Sequence, residues 1–379
     1  MPIEPGKTYL LTRRCLGRHR WLTPGSDLNQ LFLYLFAVGA KRFGFEVHAL
    51  TIMSTHYHAV VTDPEGVVPA FEQWLHSLLA RSVNRLRGRT DTFWDGRSGV
   101  RQEIVDVAAL EDALVYVWNN PTAAGLVRRG KRWPGVRTRP HDMLAAVGSK
   151  KPITVVRPEW FFAGSGRLPG SVTLAFSVPE QLLDEEARRV REEEEAEAEA
   201  ARGRGGAETG EARGADSTVG ERPSPGPSVG ALHAGWLKRL AGRVVAKFND
   251  LVREAEDEVA ERLAAEGRSF VGAEAILGQS PEEQSTQPEK HGAKLTRIPL
   301  FLTSSREARA ELLEKLADWR GRYRTARLAL VAYLGKVSRG GAVDLGFFED
   351  EEELKVPWFP WGTYQLRVTL SVPCHPPPA

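Results

Sequence analysis

Hydrophobic and polar residues follow two different periods along the first 140 residues, and each period predicts a type of element. Apolar residues recur at helical spacing over residues 28–38 and 68–87, which predicts two amphipathic helices, the first capped by Asp27. Alternating stretches at 9–15, 47–62 and 100–105 predict strands, because successive side chains of a strand point to opposite faces. A third helix is expected over residues 111–120, ended by Pro121, since proline cannot continue a helix.

The predicted order is strand, helix, two strands, helix, strand, helix. This order is typical of a ferredoxin-like split arrangement, an α+β fold with an antiparallel sheet and helices on one face. A chain of 379 residues exceeds a comfortable single domain, so further parts are expected beyond this unit.

Composition divides the chain into four parts. Residues 1–140 hold the predicted sheet, and residues 141–183 are expected to be an ordered extension. Residues 184–232 are first acidic and alanine-rich and then rich in Gly, Ser and Pro, so we interpret them as a linker. Residues 233–379 form a mainly helical extension to which the sequence assigns no function, with an aromatic, strand-like stretch at 356–368.

Candidate chemistry begins with His56 and His58 in the second strand of the predicted hairpin. Residues two apart share one face of a strand, so both imidazoles can reach the same point and hold one metal ion. Tyr57, Ala59 and Val61 would then face the core. Taken alone the pair is equally well explained as two half-buried histidines on a sheet.

Tyr116 and Asn120 supply a second candidate pair. Residues four apart lie on one helix face, so a tyrosine hydroxyl and an amide oxygen would be presented together. An amphipathic core tyrosine and a residue at a helix C-terminus are the structural alternatives, and the joint occurrence with the histidines makes them less favoured.

Over about residues 5–140 the chain resembles the REP-associated tyrosine transposases, a branch of the single-tyrosine HUH transposases. The resemblance is carried by the His56-Tyr57-His58 strand and by the downstream segment Tyr-Val-Trp-Asn-Asn-Pro-x-x-Ala-Gly-Leu-Val that begins at Tyr116. It implies a ferredoxin-like fold, Tyr116 as nucleophile and Asn120 as the residue that completes a metal site with His56 and His58. The loop before the first histidine departs from the family's Met-Pro-Asn, since it has Met53-Ser54-Thr55.

Such a site would use a divalent cation, Mg²⁺ or Mn²⁺, because mixed nitrogen and oxygen ligands suit these ions better than a closed zinc site does. The resemblance implies cleavage and rejoining of single-stranded DNA through a 5′-phosphotyrosine, at hairpin or repeat sequences. Two other hypotheses stay open: a domesticated protein that binds DNA hairpins without cleaving them, and a metallohydrolase of small phosphoesters.

Charge is unevenly distributed along the chain. Residues 1–140 contain 19 Lys and Arg against 12 Asp and Glu, whereas the remainder is acidic. A basic domain favours a phosphate-binding surface, although edge strands and solvated loops also carry such charge. The cations predicted to contact DNA are Arg13, Arg14, Arg18, Arg20, Arg85, Arg87, Arg128, Arg129, Lys131 and Arg132.

The sequence shows no transmembrane run and no signal-peptide core, so we expect a cytoplasmic protein with no membrane partner. Cys15 and Cys374 lie at opposite ends of the chain and are expected to be free thiols. A homodimer is left open.

Overall fold

The computed structural model describes residues 3–96, 99–161, 168–205, 229–285 and 301–337. Its strands, in chain order, are β1 (Lys7–Arg14), β2 (Glu46–Ile52), β3 (His56–Asp63), β4 (Val100–Ile104), β5 (Ile153–Val156), β6 (Ser171–Leu174) and β7 (Phe301–Leu302). Its α-helices are α1 (Ser26–Phe43), α2 (Val68–Leu86), α3 (Val107–Ala123), α4 (Glu180–Gly205), α5 (Val229–Ala265), α6 (Ala273–Leu277) and α7 (Arg306–Val337).

A mixed five-stranded sheet lies at the centre, with the strand order β2-β3-β1-β4-β7. The pairs β2–β3, β3–β1 and β1–β4 are antiparallel, and the short β7 runs parallel to β4. The order of elements predicted for the first 123 residues is present, from β1 through α3. This arrangement places the His56–His58 strand next to β1 in the middle of the sheet.

One face of the sheet packs against α1 and α2. Tyr57, Ala59 and Val61 of β3 point to this side and are buried in the larger hydrophobic core with residues of both helices. The alternation of β3 therefore divides its residues as predicted, with Tyr57 and its odd-numbered neighbours in the core.

Helices cover the opposite face as well, so the expectation of helices on one face only is wrong. Leu10 of β1 and Val60 of β3 point to this second face and lie in a core with residues of α3 and α5. Because the central strands are apolar on both sides, both faces need cover from water.

Helix α3 continues through Pro121 and ends at Ala123, which corrects the predicted stop before the proline. Gly125 has a φ of +70°, and its amide donates to the Thr122 carbonyl while the Leu126 amide donates to the Pro121 carbonyl. This pair of bonds is a Schellman ending, for which a left-handed glycine is the usual residue. Glycine therefore ends the helix one turn after the proline.

Helix α1 also differs from the prediction at its start. Gly25 occupies the N-cap position, and Asp27 lies within the first turn. The Asp27 carboxylate therefore stabilises the positive end of the helix dipole and does not act as the cap.

Residues 141–205, expected to be an ordered extension and the first part of a linker, contain two strands and an α-helix. Strands β5 and β6 form a two-stranded sheet whose residues Val155, Val172 and Leu174 join the core that contains α1. Helix α4 covers the acidic stretch as far as Gly205, and its Leu182 is buried with α5 residues. The rest of the predicted linker, residues 206–228, lies outside the described residues.

The described part of the C-terminal extension consists mainly of helices, with α5 packed on α3 across the apolar residues Val244, Val245 and Phe248. The strand-like stretch at 356–368 and Cys374 fall outside the described residues. Cys15 is a buried free thiol. None of the helices in the described part of the chain combines the length and hydrophobicity that a bilayer crossing requires.

Candidate active site

His56 and His58 face the same side of β3. Their ring centroids are 4.7 Å apart, and the two rings stand nearly perpendicular to each other. Residues two apart on a strand are expected to converge in this way. The structure thus brings together the first two predicted ligands.

Tyr116 approaches the histidines from α3. Its hydroxyl lies 3.3 Å from Nε2 of His58, and the two ring centroids are 5.0 Å apart. Asn120, one helical turn later, forms a side-chain hydrogen bond with Tyr116. Asn120 is buried, whereas the Tyr116 side chain is 46% exposed. The four predicted site residues therefore meet where α3 crosses β3, with the tyrosine open to solvent.

Both imidazoles are neutral at neutral pH. Burial lowers the pKa of His58 to about 3, and the charge of Arg14 acts in the same direction. Burial also lowers the pKa of His56 well below its usual value, helped by His58, Arg14 and Arg18. Because a metal ligand must be an unprotonated imidazole, the pair has the form that metal binding requires.

The Tyr116 hydroxyl lies in a mixed environment. Burial of the hydroxyl end raises its pKa, while the hydrogen bond with Asn120 and the positive charge of Arg14 partly oppose that rise. Both opposing interactions stabilise the phenolate, the form in which a tyrosine attacks an electrophile.

The chemistry of these donors suits a divalent ion. Two neutral imidazoles and one amide oxygen leave coordination positions open, as catalytic rather than structural sites do. Within the described ranges, no group of three or more His, Cys, Asp or Glu side chains could hold a metal ion. Asn120, which hydrogen-bonds Tyr116 beside the histidines, is the residue predicted as the third protein ligand.

Arg14 and Arg18 lie beside the site, whereas Arg13 does not. Arg14 is paired in register with His56 across β1 and β3 and so shares its face. Arg13, one residue earlier, points to the opposite side, where its charge acts on Glu72. Strand alternation thus removes Arg13 from the surface next to Tyr116.

Two of the predicted DNA-contacting arginines are paired with acidic residues from the C-terminal extension. Arg20 contacts Glu283 at 2.5 Å. Arg129 contacts Asp257 at 2.6 Å and Glu256 at 3.4 Å. The charge of these two cations is therefore partly neutralised within the chain.

The remaining predicted cations differ in exposure. Arg87 is half-buried and donates to the Thr23 carbonyl at 3.3 Å. The side chains that are exposed belong to Arg85, Arg128, Lys131 and Arg132. These four stay available to a polyanion.

Residues 280–285 form what we call the acidic segment, which lies across the loop after β1. Glu282 contacts Arg89 at 3.1 Å, and its carbonyl hydrogen-bonds Nδ1 of His19 at 2.8 Å. The Arg20 amide donates to the Glu283 carbonyl at 3.0 Å. No function was predicted for this part of the extension, because nothing in its local sequence indicates where it packs.

Two threonines that hydrogen-bond the histidines were not among the predicted site residues. Thr12 on β1 hydrogen-bonds Nδ1 of His58 at 2.7 Å, and Thr55 hydrogen-bonds Nδ1 of His56 at 2.8 Å. Thr12 lies directly opposite His58 in the strand register, so pairing of β1 with β3 could have indicated it.

Two solved structures are similar to parts of this chain. A REP-associated tyrosine transposase bound to a REP hairpin matches 38% of this chain and 84% of its own, with 17% identity and a TM-score of 0.33. A candidate transposase from Deinococcus radiodurans R1 matches 31% of this chain and 92% of its own, with 20% identity and a TM-score of 0.24. No protein-family model and no curated protein matches the sequence. Both likenesses are partial and both scores are low, so function is inferred from the side chains of the site.

Proposed function

We propose that this protein is a metal-dependent single-stranded DNA transposase or endonuclease that cleaves and rejoins DNA through a 5′-phosphotyrosine intermediate. The observation that carries the proposal is the approach of the Tyr116 hydroxyl to within 3.3 Å of His58 Nε2, beside His56. A nucleophile and a pair of potential metal ligands thus share one solvent-accessible site. The strand order β2-β3-β1-β4 also supports the ferredoxin-like arrangement expected of such an enzyme.

His56, His58 and Asn120 would hold the divalent cation, Mg²⁺ or Mn²⁺. When bound, the cation would polarise the scissile phosphate and orient it. Because both histidines are neutral, no proton has to leave them before the ion binds.

Tyr116 would attack the phosphorus through its phenolic oxygen. The bond from phosphorus to the 3′ oxygen breaks, the 5′ phosphate becomes esterified to the tyrosine, and the departing 3′ oxygen takes up a proton. Solvent would take up the phenol proton, since 46% of the Tyr116 surface stays exposed although its hydroxyl is partly buried. Arg14 favours the phenolate, since its positive charge lowers the pKa of Tyr116 against the effect of burial. Attack of the 3′ hydroxyl on the ester would rejoin the DNA and regenerate the tyrosine.

The substrate would be single-stranded or hairpin DNA. Arg14 and Arg18 lie next to the site, and the exposed cations Arg128, Lys131 and Arg132 follow the end of α3. These side chains would contact phosphates and position the strand without reading its sequence.

A covalent-adduct assay tests the proposal. The full chain is incubated with Mn²⁺ and a single-stranded hairpin DNA from beside its own gene, labelled at either end, and resolved on a denaturing gel. We expect protein that carries the 3′-end label, with the 5′-end label released as a free fragment. Tyr116→Phe, His56→Ala and chelation of the metal should each abolish the adduct.

Tyr34→Phe is the matched control, because Tyr34 is buried and donates its hydroxyl to the Pro169 carbonyl on the far side of the molecule. That variant should form the adduct like the parent protein. DNA that is bound but stays intact would instead indicate a DNA-hairpin-binding protein without cleavage activity. Cleavage without an adduct would indicate a hydrolase that uses water.

A further inference from the structure

Each imidazole of the site has a threonine hydroxyl at its Nδ1 nitrogen. Thr12 Oγ1 lies 2.7 Å from Nδ1 of His58, and Thr55 Oγ1 lies 2.8 Å from Nδ1 of His56. The two threonines come from different elements, one from β1 and one from the turn before β3. The same contact is therefore made twice, from two directions.

The placement of these hydroxyls matters because a neutral imidazole has one donor nitrogen and one acceptor nitrogen. A metal ion uses the lone pair of one nitrogen, and the other nitrogen then carries the proton and needs an acceptor. In His58 the nitrogen that faces Tyr116 is Nε2, at 3.3 Å, and Nδ1 faces Thr12. An oxygen at Nδ1 leaves Nε2 as the nitrogen available for an ion.

We propose that Thr12 and Thr55 are positioning residues that hold His58 and His56 with both Nε2 atoms directed into the site for a divalent cation. The inference rests on the proposed function, whose metal ligands it takes as given. Each threonine oxygen accepts the Nδ1 proton and fixes the orientation of the ring. Without that acceptor, a buried N–H would be left unpaired whenever the ion binds.

A purely structural role for the threonines makes a different prediction. Thr8 of β1 and Thr62 of β3 form a similar cross-strand hydroxyl contact at 2.8 Å. This contact lies four residues along β1 from Thr12, which is paired with His58. Thr8 lies on the same face of β1 as Thr12 and is buried. In the described part of the chain it hydrogen-bonds neither His56 nor His58. Thr8→Val is therefore the matched control for the loss of a hydroxyl from β1.

The test is a Mn²⁺ titration of the full chain without DNA, in which electron paramagnetic resonance measures the free ion. Thr12→Val and Thr55→Val should each weaken Mn²⁺ binding by about 10- to 100-fold, the range found for residues that orient metal ligands. Thr12→Ser keeps the hydroxyl and should bind Mn²⁺ within a few-fold of the parent, and Thr8→Val should bind it unchanged. His56→Ala reports how much of the signal belongs to this site.

Circular dichroism melting shows that each variant is folded. If a valine variant is not, Thr12→Ser or the corresponding Thr55→Ser provides the comparison. Wild-type Mn²⁺ affinity in both folded valine variants would overturn the inference, as would a parent protein in which His56→Ala changes no Mn²⁺ binding. The outcome is separate from that of the adduct assay. Mn²⁺ binding that depends on the threonines, without a DNA adduct, would support the inference and contradict the proposed function. An adduct together with Mn²⁺ binding that does not depend on the threonines would support the proposed function and contradict the inference.

Discussion

Buried histidines in this protein serve two different purposes. His56 and His58 converge on Tyr116, whereas His48 on β2 has both ring nitrogens engaged by structural partners, the Ser177 carbonyl at 2.9 Å and the Thr62 hydroxyl at 2.8 Å. Both nitrogens of this imidazole have partners in the fold, and protonation would place a positive charge in a buried position. Acid should therefore destabilise the protein through His48 independently of the site.

We expect His48→Asn to reduce the loss of stability in acid. Burial lowers the pKa of His48 to about 4 from an unfolded value of 6.5. A base whose folded pKa is lowered contributes stability that is complete above pH 6.5 and is lost as the pH falls toward 4. The difference corresponds to about 3 kcal/mol. Urea unfolding at a series of pH values should show a flatter profile in the variant by up to that amount.

The exposed His141 provides the control for this experiment. His141→Asn should keep the pH profile of the parent protein. A profile of His48→Asn that coincides with that of the parent would show that His48 is protonated without cost in the folded state.

The sequence predicts an element well where one hydrophobic period extends over the whole segment. It predicts less where contacts with distant segments determine the structure. The alternation of β3 and the helical spacing of α2 fix which residues face the core, so the convergence of His56 with His58 follows from local sequence. The end of α3 depends on the left-handed Gly125 and not on Pro121 alone. The contact of Thr12 with His58 requires strand register, which arises from the pairing of distant segments.

The acidic segment gives a prediction at the scale of elements. Glu283 pairs with Arg20 on the loop that follows β1, and Glu282 pairs with Arg89, which follows α2. If these arginines contact phosphates, the carboxylates compete with DNA for the same cations. The double variant Glu282→Gln and Glu283→Gln should bind labelled single-stranded hairpin DNA about threefold to tenfold more tightly, the worth of two exposed ion pairs.

Fluorescence anisotropy at a fixed salt concentration measures this affinity. Glu266→Gln is the control, because Glu266 is also in the extension but pairs with Arg268, two residues away. Equal affinity of the double variant and the parent would place the DNA surface away from Arg20 and Arg89.

The described part of the chain is more than a sheet domain with an appended tail. Composition suggested a boundary within residues 184–232, yet α5 lies beyond it and packs on α3, the helix that carries Tyr116. Phe248 is fully buried, with its ring centroid 5.3 Å from that of Trp118 on α3. A stretch of low hydrophobicity indicates that this stretch cannot form a core of its own. It does not show whether the segment that follows packs on the preceding domain.

We therefore expect Phe248→Ala to destabilise the domain that holds the site. Truncation of a buried phenylalanine costs about 3–5 kcal/mol through lost burial and the cavity that remains. Urea unfolding followed by circular dichroism should show a single transition at a lower midpoint. Leu313→Ala is the control, because Leu313 is largely exposed on α7 and its truncation should leave the midpoint unchanged. A lower midpoint confined to a separate, minor transition would mean that α5 folds independently of α3.

Segments of the same chain flank the four antiparallel strands on both sides. Next to β4 lies β7, and along β2 the Thr138 amide donates to the Leu50 carbonyl while the Ser177 amide donates to the Val47 carbonyl. In the described part of the chain these contacts take up backbone groups to which another strand could otherwise bind. Two copies of the protein could therefore not pair their β2 or β4 strands with each other without first displacing these segments. If a homodimer forms, its subunits should meet through helices or loops.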